Sequence, residues 1–440
     1  MSVSTLAQSA IQRQWLAYRQ RFAPEFASFY STLAPPADNL GLVVVIPCYD
    51  EPGVVDTINA LYVCKRPDCG VEIWVIINAS QADDDAIHQQ NKSTFEQLAA
   101  WAEQFSDEGF RLRCVYKDDF PVKHQGVGLA RKTGLDIAAS RFAEVGADDG
   151  VCISLDADCL VGSNYLYEIS NHFDLNQHDQ VATIDFRHQL EQVSDAEHSE
   201  AMVAYELYLR YYVRGIDYAG LPYAYHTLGS CFAVRVSAYM AQGGMNKRQG
   251  GEDFYFIHKF TALGQCGRIL STQVLPSARL SQRVPFGTGP SVSCWARGND
   301  KAYGTYNPAV FHDLRCLTTW LQGLKEQSDF SLEGMKVLPK PLLVFLGRQG
   351  VDQRIVEIKA NTASIDALVE RFLRWFNAFL ALKYVHYAHE ADYQSQPLII
   401  SAQTLLQMFE SMPGTERAKS RDTLYGLLEQ YRYLDSKNVT

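Results

Sequence analysis

The sequence predicts an α/β protein with an open, mostly parallel sheet flanked by helices, a helix before it and a helical region after it. Three observations carry this. Leu40–Ile46 and Val71–Ile77 are continuous, β-branched apolar runs, the pattern of strands buried on both faces. Each run stops at a polar turn and is followed by helical spacing, so strands and helices alternate. From about residue 309 the strand alternation ceases. The expected divisions are 1–38 for an N-terminal helical extension, 39–308 for the sheet-containing domain and 309–440 for the helical region.

In chain order, residues 5–33 read as a helix with Leu6, Ile11, Trp15, Tyr18, Phe22, Phe26 and Phe29 on one side. The first strand stops at Pro47-Cys48-Tyr49-Asp50-Glu51-Pro52-Gly53, and Val54–Val63 has helical spacing. The second strand ends at Asn78, with a helix at Ser93–Phe105. Strands at Arg111–Tyr116 and Val151–Leu155 bracket a helix at Gly128–Ala143. Further on come strands at Val181–Phe186, Thr227–Arg235 and Ile269–Val274, with helices at Asp195–Tyr218 and through Phe260. Ligands of such sheets bind beyond the carboxyl ends of the strands. The loops at Pro47, Asn78, Lys117 and Asp156 therefore share one edge.

Composition narrows the function. The chain has 440 residues, 47% hydrophobic and 20% charged, with a net charge of −10, which argues against a nucleic-acid binder. Ten cysteines lack any C-x-x-C, as expected of free thiols in a reducing cytoplasm. No leader pattern and no apolar run of the ~18–20 residues that span a bilayer is visible. The expectation is a soluble cytoplasmic protein, with membrane contact only peripheral.

Candidate chemistry begins at Asp156-Ala157-Asp158, which ends the fourth strand. Residues i and i+2 of a strand face one side, so the two carboxylates can converge on Mg²⁺ or Mn²⁺. A solvated turn is the plain alternative. Glu252-Asp253 opens a helix after two glycines; it either complements the helix dipole or supplies a general base. Lys123–Gly134 approaches a helix start where Arg131 or Lys132 can add charge for a phosphate, or simply forms a basic solvated face. It is neither a Rossmann fingerprint nor a P-loop. Arg279 to Gly289, with Arg283, reads as a lid over phosphates or an ordinary glycine turn. His226, His258 and His312 are lone histidines, more often packed than ligating. Tyr205, Tyr208, Tyr211 and Tyr212 read mainly as core, with an acceptor pocket as the sharper alternative, and Phe372, Trp375, Phe376, Phe379, Leu382 and Tyr384 read as helix packing, with a membrane surface or a subunit contact as the alternatives.

Together these motifs resemble glycosyltransferase family 2, with the GT-A fold. Val43–Glu51 is similar to its opening strand and Pro-x-Tyr-Asn-Glu turn, Gly126–Gly134 to its glycine-rich helix start, Asp156-Ala157-Asp158 to its Asp-x-Asp, and Gly229–Arg235 with Gly251-Glu252-Asp253 to its acceptor-side strand and Glu-Asp pair. The match spans about residues 40–265. It implies a metal-dependent, inverting, non-processive transfer of one sugar from a nucleotide-diphosphate sugar to an acceptor hydroxyl, on a saccharide, lipid-linked or small molecule. Pro47, Tyr49, Glu51, Asn78, Arg131, Asp156, Glu252 and Arg283 would contact the donor. Asp156 and Asp158 would hold Mn²⁺ or Mg²⁺, and Asp253 would be the base. Asn78 stands where the family usually has an acidic residue, and the Gln-x-x-Arg-Trp motif of processive synthases is absent. A retaining transferase, a nucleotidyltransferase and a non-catalytic nucleotide-sugar-binding protein stay open as alternatives.

Overall fold

The computed structural model describes residues 9–24, 34–123, 125–279, 292, 295, 303–326, 332–412 and 423–437. The chain divides into two compact units, Met1–Gln189 with Thr227–Phe286, and Leu190–His226 with Gly287–Thr440.

The first unit is built on one eight-stranded sheet in the order β3-β2-β1-β4-β7-β6-β8-β5. The strands are β1 (Leu40–Cys48), β2 (Gly70–Ser80), β3 (Phe110–Phe120), β4 (Val151–Ser154), β5 (Leu160–Val161), β6 (Val181–Phe186), β7 (Phe232–Arg235) and β8 (Cys266–Leu275). β3, β2, β1 and β4 run parallel, as do β6 and β8. β7 is antiparallel to β4 and β6, and β5 is antiparallel to β8. Every residue of β2 is buried and all but one of β1, as their unbroken apolar character requires.

Some boundaries differ from expectation. The first helix, α1, spans Ala10–Phe22, not 5–33. A capping box of Ser9 with Gln12 opens it, and Ala23 leaves helical geometry ahead of Pro24, which disfavours helix in the residue before it. Leu6, Phe26 and Phe29 lie outside the described residues. Helices α2 (Val54–Tyr62), α5 (Tyr165–Leu175) and α6 (Ala196–Tyr218) follow β1, β5 and β6, and the helix after β2, α3 (Asp85–Phe105), starts at Asp85 rather than Ser93, preceded by Asp84 in extended geometry. The strand expected over Thr227–Arg235 is reduced to β7. Its first half turns instead, with the Cys231 N–H donating to the Leu228 carbonyl at 3.0 Å.

Helix α4 (Val127–Val145) lies against β1 and β2 and is buried along most of its length. Gly134 lets it approach: a Cβ there would come within 2.2 Å of a Val45 methyl. Farther along, Arg141 donates from Nη2 to Glu72 Oε1 at 2.6 Å and from Nε to Oε2 at 2.9 Å. The Trp74 indole completes the carboxylate at 2.9 Å. On another side, Asp136 accepts from Tyr18, Tyr239 and Lys132 at 2.6, 2.6 and 2.8 Å, tying α1 and α7 (Val236–Ala241) to α4. Both ion pairs are buried but fully hydrogen-bonded, the condition under which such charges are tolerated.

The second unit is helical, with helices at Ala196–Tyr218, Ala309–Glu326, Lys340–Arg348, Val351–Ala360, Ile365–Trp375, Ala378–Ala391, Leu398–Glu410 and Leu424–Ser436. A buried Glu206 binds Arg210 and Arg432. Asp435 accepts from Arg210 at 2.6 Å and contacts His226 at 3.2 Å. Despite burial, His226, Arg210 and Arg214 hold the Asp435 carboxyl down at about 2. Tyr211 packs on Phe311, and Tyr208 hydrogen-bonds Tyr306, so the tyrosine stripe packs within this unit. Phe372, Phe376 and Tyr384 are buried as well. No described helix is long and apolar enough to cross a membrane.

Removing one partner of a buried pair strands the other charge. Glu72→Ala is expected to lower stability by about 3–5 kcal/mol through the orphaned Arg141. Urea unfolding followed by circular dichroism measures it, and a loss under 1 kcal/mol would contradict the pairing.

Candidate functional site

Four backbone segments converge at the carboxyl edge of the sheet. β1 delivers Tyr49, Asp50 and Glu51, β4 delivers Asp156 and Asp158, α4 delivers Arg131, and α8 (Glu252–Thr261) opens with Glu252-Asp253. The chain after β8 adds Arg279. Thr57 Oγ1 donates to the Ala157 carbonyl at 2.9 Å, which fixes the residue between the two aspartates.

Arg131 is the junction of this edge. Its side chain is 2% exposed. Nη2 donates to Asp156 Oδ1 at 2.7 Å, and Nη1 donates to Glu252 Oε1. Burial alone would lower its pKa, but Glu252 and Asp156 outweigh that and raise it. The guanidinium lies over Gly229, where a Cβ would fall 2.5 Å from Nη2. Ser154 Oγ in turn donates to the Gly229 carbonyl at 2.6 Å, holding that glycine to β4. At the mouth of α4, a Cβ on Gly128 would fall 2.0 Å from the Arg248 carbonyl oxygen. The 248–252 segment can close on the helix only because Gly128 has no side chain. Gly251 enters α8 at φ +70, a conformation that suits glycine.

Arg279 forms a second junction. It binds Glu51 through both Nη1, at 3.0 Å, and Nη2, and Asp158 Oδ2 at 3.1 Å. Glu51 is buried, whereas Asp158 and Arg279 are 33% and 36% exposed. Glu51 also accepts from the Gly53 N–H at 2.9 Å.

Asp253 is half-buried beside these groups and accepts from the Phe254 N–H at 2.7 Å. Burial, then repulsion from Glu252, push its carboxyl from 3.8 up to about 7, although Arg131 and the Phe254 N–H oppose the shift. Glu252 Oε2 is buried and has no hydrogen-bond partner among the described residues. The edge thus holds carboxylates at Glu51, Asp156, Asp158, Glu252 and Asp253 against guanidiniums at Arg131 and Arg279. The excess is negative.

The other sequence-derived candidates fall nearby or elsewhere. Pro47 lies within β1, in register with Ile76 of β2. Tyr49 donates to Asp83 at 3.0 Å. Asn78 is buried in β2, and its carbonyl accepts from Asn91 at 3.0 Å. Lys132 is directed into the α1 contact at Asp136 and Tyr18 rather than toward the edge. His258 is bound to Thr261 and lowered to about 4 by burial, and His226 serves Asp435 in the second unit. Arg283 lies outside the described residues. Sequence reasoning missed Asn91, whose side chain bridges the Asp50 N–H and the Asn78 carbonyl. It also missed the attachment of Arg279 to Glu51 and Asp158.

No cluster of three or more His, Cys, Asp or Glu suited to a metal occurs among the described residues. Asp156 and Asp158 nevertheless fit one hard cation. They are oxygen donors at a partly exposed edge with excess negative charge, and Mg²⁺-type ions take few protein ligands and complete their shell from waters and phosphates.

No family model and no curated protein matches the chain. Among solved structures, it is similar to residues 1–349 of S. aureus TarS in complex with UDP-GlcNAc. That match has a TM-score of 0.38 and 14% identity, and covers 79% of this chain and 89% of that one. It is also similar to the mannosyltransferase PcManGT from Pyrobaculum calidifontis in complex with GDP-Man and Mn²⁺, with a TM-score of 0.31, 14% identity and coverage of 97% and 95%. Likeness at this level does not transfer function, so function rests on the residues of the edge.

Gly229→Ala should drive its methyl into Arg131 and cost about 1–3 kcal/mol, the usual range for overpacking. A thermal midpoint unchanged from wild type would show that the guanidinium does not need the glycine.

Proposed function

We propose that this chain is a GT-A-type glycosyltransferase of the family 2 kind, moving one sugar from a nucleotide-diphosphate sugar to an acceptor hydroxyl with inversion. The observation that carries this reading is the Asp156–Arg131–Glu252 bridge, which holds an Asp-x-Asp pair and an Asp253 of raised pKa at one edge of the sheet. A transferase needs both halves: carboxylates for the cation that accompanies the diphosphate, and a base for the incoming hydroxyl.

In this reading Asp253 accepts the proton of the acceptor hydroxyl, whose oxygen bonds to the anomeric carbon. The sugar–phosphate bond breaks, and its electron pair leaves with the diphosphate. A base with a pKa near 7 is matched to neutral pH, since enough is ionised to accept a proton and its basicity is high. Asp156 and Asp158 would hold Mn²⁺ or Mg²⁺, which when bound neutralises charge developing on the diphosphate. Tyr49, Glu51 and Asn78 lie on the donor side. Arg131, buried under its two carboxylates, orients Asp156 and Glu252 rather than reaching a phosphate.

Screening UDP- and GDP-sugars by thermal shift, with and without Mn²⁺, tests the donor. One stabilising nucleotide sugar is expected, because a ligand that binds only the native state raises its midpoint. No response to any would contradict the reading. Asp253→Asn should cut turnover by about 10²–10⁴-fold, and wild-type kcat/KM should rise as pH increases through about 7. Retention of the donor's anomeric configuration in the product would overturn inversion.

The same shift has a stability signature. The folded state holds the Asp253 proton more tightly than the unfolded chain does, so wild type loses stability between about pH 4 and 7 as that proton leaves. In metal-free protein, Asp253→Asn should therefore melt higher than wild type at pH 8, with the gap closing near pH 4. An equal midpoint at pH 8 would contradict the raised pKa.

A further inference from the structure

The two arginines of the edge are not equivalent. Arg131 is sealed in, with one partner just past the end of β4 and the other in the first turn of α8. Arg279 is about one-third exposed, and its attachments to Glu51 and to Asp158 differ in strength. Toward Glu51 it presents a two-pronged fork to a buried carboxylate that the Gly53 N–H also holds. Toward Asp158 it makes one contact of 3.1 Å, between groups each about one-third exposed. Forked arginine–carboxylate pairs are the stronger kind, and exposed single contacts are weak. The backbone beneath is anchored. Gln189 donates from Nε2 to the Leu275 carbonyl at 2.6 Å and from its N–H to the Pro276 carbonyl at 3.2 Å, and the Arg279 N–H is held by Ser277 Oγ at 3.3 Å. The strand end that leads to Arg279 is thus tied down, and a turn of the guanidinium about Glu51 is enough to release Asp158.

We propose that Arg279 is an exchangeable internal cation: its guanidinium occupies Asp158 when no ligand is bound, yields that carboxylate to a divalent cation, and stays on Glu51 to meet the diphosphate. This deepens the metal-dependent transferase reading and rests on it. A free divalent cation must compete with a charge already on Asp158, so it binds poorly by itself. A cation arriving with a nucleoside diphosphate also brings phosphate oxygens as a new partner for the released guanidinium, so exchange is favoured only for the pair. Arg279 acts here as a positioning residue that couples cation entry to nucleotide entry.

The test is binding, not turnover. Wild type, Arg279→Gln, Arg279→Lys and Asp158→Asn are titrated with Mn²⁺ alone, with free Mn²⁺ read by electron paramagnetic resonance, and then with Mn²⁺ plus UDP or GDP. Circular dichroism and thermal midpoints establish that each variant folds. Arg279→Gln is expected to bind Mn²⁺ alone about two- to fivefold more tightly than wild type, in line with the loss of a partly exposed ion pair. It should bind the nucleotide with Mn²⁺ more weakly, and Arg279→Lys should fall between. Equal or weaker Mn²⁺ binding by Arg279→Gln overturns the exchange. If Asp158→Asn weakens Mn²⁺ binding in that case, the metal reading survives and only the exchange fails. If Asp158→Asn leaves Mn²⁺ binding unchanged, both fall. Should neither UDP nor GDP bind any variant, the coupling to nucleotide fails.

Discussion

A guanidinium cannot be buried without carboxylates, and at Arg131 that requirement organises the whole edge. Its two partners come from β4 and α8, segments 25 and 121 residues away in sequence. Satisfying it draws the end of one strand and the start of one helix to a common point at the mouth of α4. Gly229 and Gly128 are the spaces that this convergence consumes. The perturbed Asp253 follows from the same crowding: burial first, then repulsion from Glu252, raise its carboxyl.

α4 acts as the spine of the first unit because it meets a different neighbour along different parts of its length. Arg131 serves the edge, Asp136 gathers α1 and α7, and Arg141 reaches Glu72 on β2. A helix buried all round normally does so with apolar residues. This one buries charge, and each charge has a defined partner, so register and rotation are specified more narrowly than apolar packing would require.

What the sequence reveals follows from how local each signal is. β1 and β2 are legible because unbroken β-branched runs have few other uses. Asp156 and Asp158 are legible because they interrupt such a run. The antiparallel entry of β7 is not, since its four residues carry no orientation signal and half of the expected strand turns at Cys231. Arg131 is legible as a basic residue at a helix start, but its burial is decided by carboxylates far along the chain. Arg279 is legible only as an arginine in a loop; its attachment to Glu51 and Asp158 is decided by where the chain leaves β8. Asn91 carries no local mark, because it lies in the polar opening of α3, ahead of the residues whose spacing reads as helix.

The chain passes between its two units more than once. It leaves the first at Gln189, returns at Thr227 and leaves again after Phe286. β6 and β7, neighbours in the sheet, are separated by a helix of the other unit. During synthesis the first unit therefore cannot complete its sheet until the 196–218 helix has emerged, and that helix then waits for the last hundred residues to supply Arg432 and Asp435. No single cut separates the units into two continuous pieces. The architecture trades modularity for interdependence: exchange of one unit between proteins would require three junctions rather than one.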